Sequence, residues 1–234
     1  MGPTRRTGKR PVGRPRADGR PHITRQEVFD AAIGLIARYG YSGTSLRMIA
    51  DELKAQAPSI LNLFGSKDRI LTELVAHLAS FSLRFHEGIE AADLGPDVAL
   101  YRMLYEDTRV VAASNYDVVS IFYLPELRQP QFAEAQHQRA DMIAGYHRQL
   151  TRGIELGVFR PVDVDLTAEQ LFQLTETNLI ALPRSNLGTP EEQGAATANL
   201  MLRGLLTRPQ RLASIAARAD ACGVTIEVAR APAP

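Results

Sequence analysis

Several things are scarce in this chain of 234 residues, and each scarcity closes off a class of protein. Cys222 is the only cysteine. One thiol cannot close an internal disulfide, so a disulfide-stapled secreted scaffold is excluded and a reducing, cytoplasmic setting is expected. There is no tryptophan. No apolar run reaches the ~18 residues of a membrane-spanning helix, so no membrane partner is expected. The N-terminus is basic, but no apolar stretch follows it as in a secretory leader.

Signatures of catalysis are equally thin. The histidines are His22, His77, His86, His137 and His147. Glu73 and His77 stand i, i+4 on one helix face, but no second pair has matching spacing, so no metal site is expected. There is no GxSxG, no Walker loop and no plausible base for Cys222. "GYSGTS", residues 40–45, is Gly-rich but lacks the preceding strand that a nucleotide-binding loop needs. Neither enzymatic activity nor a cofactor is expected.

What is present is charge of one sign at one end. Residues 1–25 hold eight Arg or Lys against the single Asp18, a net of +7. The whole chain is +1, so the remainder carries −6. A basic arm on an acidic body points to a polyanion partner at that end. The arm is rich in Arg, Gly and Pro and cannot build a core. Its "KRPVGRPR", residues 9–16, is similar to an AT-hook. Gly13 has no side chain, Pro15 holds the chain extended, and Arg14 and Arg16 can enter a narrow A·T minor groove. A solvated basic tail making nonspecific phosphate contacts is the alternative.

Beyond the arm the pattern is helical nearly throughout, an all-α fold. "TRQE", residues 24–27, is a capping box, and Val28, Phe29, Ala32, Ile33 and Ile36 follow at helical spacing. Gly40 stops this helix. Thr44 or Ser45 caps a second helix carrying Leu46, Ile49, Ala50 and Leu53. A short helix opens near Ala57 and Pro58, where a missing N–H costs nothing. Ser66 caps a long fourth helix. "ADLGPD", residues 92–97, breaks the pattern. Helices are expected at about 96–114, 115–124, 130–156, 165–182 and 190–207, with "TAEQ", residues 167–170, as a second capping box. The tail from 222 is expected to be flexible.

Two short helices after a longer one form a helix-turn-helix, whose second short helix enters the DNA major groove by its N-terminal residues. This accounts for "KAQAPSILNLF", residues 54–64. Gln56, Ser59 and Asn62 are polar and would face DNA; Ile60 and Phe64, four apart, would face the core. Ala31–Ala32, Gly40–Tyr41, Thr44–Ser45, Ile49–Ala50, Phe64 and "SKDRIL", residues 66–71, carry a specific resemblance. Residues 24–80 resemble the DNA-binding domain of the tetracycline repressor (TetR) family. The resemblance implies DNA contacts from Thr44, Ser45 and Arg47, from Gln56, Ala57, Pro58, Ser59 and Asn62, and a phosphate contact from Lys67. Two departures stand out. Lys54 replaces the turn glycine usual in the family. "ILNLF" puts Leu61 and Leu63 where the family often has a phosphate-touching Tyr and a His.

The expected organisation is an arm over 1–21, a helix-turn-helix domain over 22–82, a helical ligand-binding and dimerisation domain over 83–221, and a tail over 222–234. Tyr101, Tyr105, Phe122, Tyr123, Met142, Tyr146 and Phe172, with the polar Glu176, are candidates to line an effector cavity. Ordinary core packing explains the same residues. Helices 165–182 and 190–207 have apolar and small faces, with Leu174 and Leu202 among them; the resemblance implies that they pair with their copies in a homodimer. The expected function is a repressor released from a pseudo-palindromic operator by an unidentified small molecule. A helical enzyme with a nucleic-acid tether, or an AT-hook architectural protein, are the alternatives.

Overall fold

The computed structural model describes residues 23–114, 120–177 and 187–226. Among these the architecture is all-α, a small N-terminal helix-turn-helix followed by a larger helical domain.

Helix α1 spans Arg25–Gly43, and its capping box is formed as expected: the Thr24 hydroxyl accepts from the Glu27 N–H, and the Glu27 carboxylate accepts from the Thr24 N–H. Gly40 interrupts α1 at φ 72°, a left-handed conformation that glycine adopts without strain, and a last short turn follows. Ser45, not Thr44, caps α2 (Leu46–Glu52) by accepting from the Met48 N–H. The turn into α3 (Ala57–Phe64) places Lys54 at φ 50°. This is the backbone reason a glycine suits that position, and lysine holds it against a steric cost of about 1–2 kcal/mol. Gly65 at φ 79° ends α3, and Ser66 caps α4 (Lys67–Ala91).

Helix α5 (Pro96–Ala113) runs through the middle of the larger domain and is buried on almost every side. Around it lie α6 (Ala133–Glu155), α7 (Val164–Thr177), α8 (Pro190–Leu205) and α9 (Leu212–Ala221). Helix α9 was not anticipated. Its Leu212, Ile215 and Ala219 close the core on α5. The expected helix at 115–124 is replaced, over its described part, by a 3-10 turn at Ile121–Tyr123, followed by two more at Pro125–Arg128 and Pro130–Phe132. Pro125 and Pro130 lack the N–H an α-helix would use, which chops the segment into single turns. Residues 167–170 do not start a helix either. Helix α7 begins earlier, and the Asp163 carboxylate accepts the Leu166 N–H at 3.0 Å. The expected flexible tail is anchored in its described part. The Val224 carbonyl accepts from Arg102 Nε at 2.8 Å, and Ile226 is buried with its N–H 3.2 Å from Glu106 Oε2.

The apolar residues form two cores. One gathers Val28, Phe29, Ile49, Ile60 and Phe64; the other gathers Leu100, Leu104, Tyr146, Leu150, Leu171 and Leu202. Helix α4 serves both, giving Ile70, Leu71, Leu74 and Val75 to the first and Phe85 and Ile89 to the second. The expected division at 82/83 therefore falls inside a continuous helix. Phe64 sits under α1, its ring 5.6 Å from Phe29 and 4.7 Å beneath the Arg25 guanidinium. Phe64→Ala should lower stability by about 3–5 kcal/mol, read as a fall in melting temperature; an unchanged melt would contradict this packing.

Candidate DNA interface and effector core

Helix α3 has its faces arranged for groove reading. Ile60 and Phe64 are buried, while Gln56, Pro58, Leu61 and Asn62 are exposed and Ala57 and Ser59 are half-buried. Pro58 lies in the first turn, where it leaves no intrahelical bond unmade. Two cations, one of them the expected phosphate contact Lys67, are built into the domain. Arg25, counted with the arm, bonds the Leu63 carbonyl at 3.0 Å and pairs with Glu73, tying α1, α3 and α4 together. Lys67 donates to the Tyr41 and Thr44 carbonyls at 2.7 and 2.8 Å, with its ammonium 4.1 Å over the Tyr41 ring. An ammonium has three N–H donors, so one remains for a phosphate.

The other expected contacts divide. Arg47 is exposed, only loosely paired with Asp51 at 3.8 Å. Ser45 is exposed with its oxygen capping α2. Thr44 is a correction: it is 2% exposed and its hydroxyl donates to the Gly40 carbonyl at 2.9 Å, so its side chain stabilises the α1 end and offers nothing outward. Arg14 and Arg16 lie outside the described residues.

A strap joins this domain to the larger one. Ile121 and Phe132, from the 3-10 segment, are fully buried in the first core. The Phe132 ring meets Tyr41 edge-on at 5.8 Å, and the Tyr41 hydroxyl bonds Asp68 at the start of α4. At its other side the strap reaches α7, where the Tyr123 hydroxyl donates to Glu176 at 3.0 Å.

Behind that bond lies a buried polar group that sequence reasoning missed. Asp107 Oδ2 on α5 accepts from the Tyr146 hydroxyl on α6 at 2.5 Å and lies 2.8 Å from His86 Nε2 on α4. Thr175 stands beside Tyr146, and Glu176 and Asp107 are close enough to repel. Among the described residues, Asp107 Oδ1 and Gln149 Oε1 have no hydrogen-bond partner. In "RMLYEDTRVV", residues 102–111, Asp107 is one of four charged residues, so nothing local singles it out as buried. Of the expected effector residues, Tyr123, Tyr146 and Glu176 converge here, and Phe172 and Met142 pack on the same core. Tyr101 and Tyr105 are set apart: Tyr105 backs onto Gly194 of α8, and Tyr101 lies near Asp220 at the end of α9. Phe122 packs with the DNA-binding core instead. The described residues contain no group of three or more His, Cys, Asp or Glu able to hold a metal.

These features are those of a helix-turn-helix DNA-binding domain joined to a larger helical domain. Residues 28–74 match the profile of the bacterial regulatory proteins, tetR family. The HTH-type transcriptional repressor KstR2 of Mycobacterium tuberculosis is 26% identical over 156 residues, covering 64% of this chain and 77% of that protein. Among solved structures, the TetR family regulator PfmR from Thermus thermophilus superposes with a TM-score of 0.66 at 25% identity, over 76% of this chain and 97% of that one. AibR in complex with isovaleryl coenzyme A and operator DNA superposes with a TM-score of 0.63 at 17% identity, over 79% and 98%. The N-terminal domain is thus similar to the DNA-binding domain of the tetR family, and the chain shares the fold of the TetR family regulator PfmR.

Burial pushes the Glu176 carboxyl up to about 7, against the opposing pull of the Tyr123 hydrogen bond and of Arg139. Its proton is held more tightly in the folded chain than in the unfolded one. The resulting stability is complete below the ordinary value of 4.5 and is lost as pH rises through about 7. Glu176→Gln should remove this loss, so the variant should melt higher than wild type at pH 8 and about equally at pH 4.5. Parallel melting curves at both pH values would contradict the assignment.

Proposed function

We propose that the chain is a repressor that binds a pseudo-palindromic operator as a homodimer and is released by a small-molecule effector. The observation that carries the DNA half is the exposed side of α3, with Gln56, Pro58 and Asn62, opposite its buried Ile60 and Phe64. The relative KstR2 is itself named a repressor, and AibR, of the same fold, occurs with both a coenzyme A thioester and operator DNA. No helix among the described residues is long and apolar enough to cross a membrane, which is compatible with a cytoplasmic site of action.

The mechanism is linkage between two arrangements. An effector at the Asp107–Tyr146–Glu176 group touches α5, α6 and α7. It competes with the Tyr123–Glu176 bond, and so with the strap whose Ile121 and Phe132 sit in the DNA-binding core. A shift there moves α1 and α3 relative to α4. In a dimer it changes the separation of the two recognition helices, which must lie about one DNA turn apart, ~34 Å.

The dimer reading needs a different face from the one first expected. Leu202 is fully buried in the subunit's own core, as is Ala198. The outward stripe of α8 is Ala196, Leu200 and Gly204, one turn apart, with Leu200 69% exposed. Leu166 on α7 is also exposed, and Leu174 is half-buried. Small residues flanking a large one let a second helix approach closely. Leu200→Glu should give a folded monomer in sedimentation and lose operator binding, whereas Leu202→Glu should unfold the chain. A wild type that is monomeric at micromolar concentration contradicts the dimer.

Selection of duplexes from a random library by the purified protein tests the function. Two half-sites in inverted repeat are expected; recovery of no preferred sequence contradicts the reading. Asn62→Ala should relax one position per half-site, since a bidentate contact to adenine is worth about 1–3 kcal/mol of discrimination. Lys67→Ala should weaken all duplexes alike and also lower the melting temperature, because Lys67 holds the α1 end as well. Deleting residues 1–21, with Arg14 and Arg16, should flatten the dependence of log K on log salt by about 0.9 for each phosphate that the arm neutralises. An unchanged slope would show that the arm neutralises none.

A further inference from the structure

The polar residues of α3 have roles as readers, but its centre is apolar and outward-facing. Leu61 is 47% exposed, although Ile60 before it and Phe64 after it are buried. A lone exposed leucine is ordinary on a protein surface. This one lies one helical turn after Ala57 and beside exposed Asn62, on the face that the operator-binding reading turns towards DNA. The edges of the bases in the major groove are hydrogen-bonding groups, with one apolar exception. That exception is the C5 methyl of thymine, which apolar side chains contact. Leucine offers a branched apolar end and no donor or acceptor, so it gains nothing from a guanine or cytosine edge and leaves their polar groups without partners.

We propose that Leu61 packs against a thymine methyl in each half-site and is a specificity-determining residue of the interface. The proposal rests on the operator-binding reading and adds to it an apolar element beside the hydrogen bonds of Asn62. Burying one methyl is worth about a fourfold change in affinity, or roughly fifteenfold when both half-sites contribute.

The test uses the full chain and the operator recovered by selection. Each thymine is replaced in turn, symmetrically in both half-sites, by deoxyuridine, which pairs identically and lacks only the methyl. Binding is measured for wild type and for Leu61→Ala, whose melting curve checks that the exposed site tolerates the change. One thymine pair is expected at which deoxyuridine weakens wild type roughly fifteenfold and leaves Leu61→Ala unaffected. If no position responds, or if Leu61→Ala responds as wild type does, the proposal is overturned while operator binding stands. If no operator is recovered, both fall together.

Discussion

Helix α4 is the member on which the rest of the molecule depends, because one continuous helix packs into both cores. Its first turns hold Ile70, Leu71, Leu74 and Val75 against α1 and α3; its last turns hold Phe85 and Ile89 against α5 and α6. A side chain close-packed at both ends of a rigid element leaves little room for one domain to move without the other. The strap from α5 to α6 adds a second connection, since Ile121 and Phe132 are buried in the DNA-binding core. Helix α3 and the larger domain are thus joined by two routes, one helical and one made of proline-broken turns.

Electrostatics near the DNA surface follows the same logic. A basic side chain beside a helix-turn-helix looks like a phosphate contact, yet Arg25 and Lys67 bond carbonyls at the ends of α3 and α1. A carbonyl at a helix C-terminus carries partial negative charge and has no intrahelical donor, so a neighbouring cation satisfies it. These two residues therefore fix the orientation in which α3 is presented. They leave the side chains of Gln56, Leu61 and Asn62 exposed on α3.

What was legible in the sequence was local. The box at Thr24 and the caps at Ser45 and Ser66 involve residues three apart in the chain, and the geometry bears them out. The apolar spacing of Ile60 and Phe64 also carries through to burial. What was not legible depends on which neighbour a face meets. Periodicity marks Leu202 and Leu200 both as apolar on α8, but only the packing of α5 decides that Leu202 turns inward and Leu200 outward. Helix α9 is short and rich in alanine, and its apolar residues have meaning only against α5. Asp107 and His86 are far apart in sequence, and nothing local ties them to Tyr146. Residues 178–186, where part of the expected helix 165–182 falls, lie outside the described residues.

The central claim is that the DNA-binding face and the sensor core are coupled through α4 and the strap. Hydrogen exchange on the intact protein, with and without its selected operator, tests this without knowledge of the effector. By linkage, DNA binding must change the stability of whatever it is coupled to. The account predicts altered exchange not only in α2 and α3 but also in Ile121–Tyr123 and Pro130–Phe132 and in the second half of α4, none of which is placed to touch DNA. Changes confined to α1, α2, α3 and the first turn of α4 would contradict it.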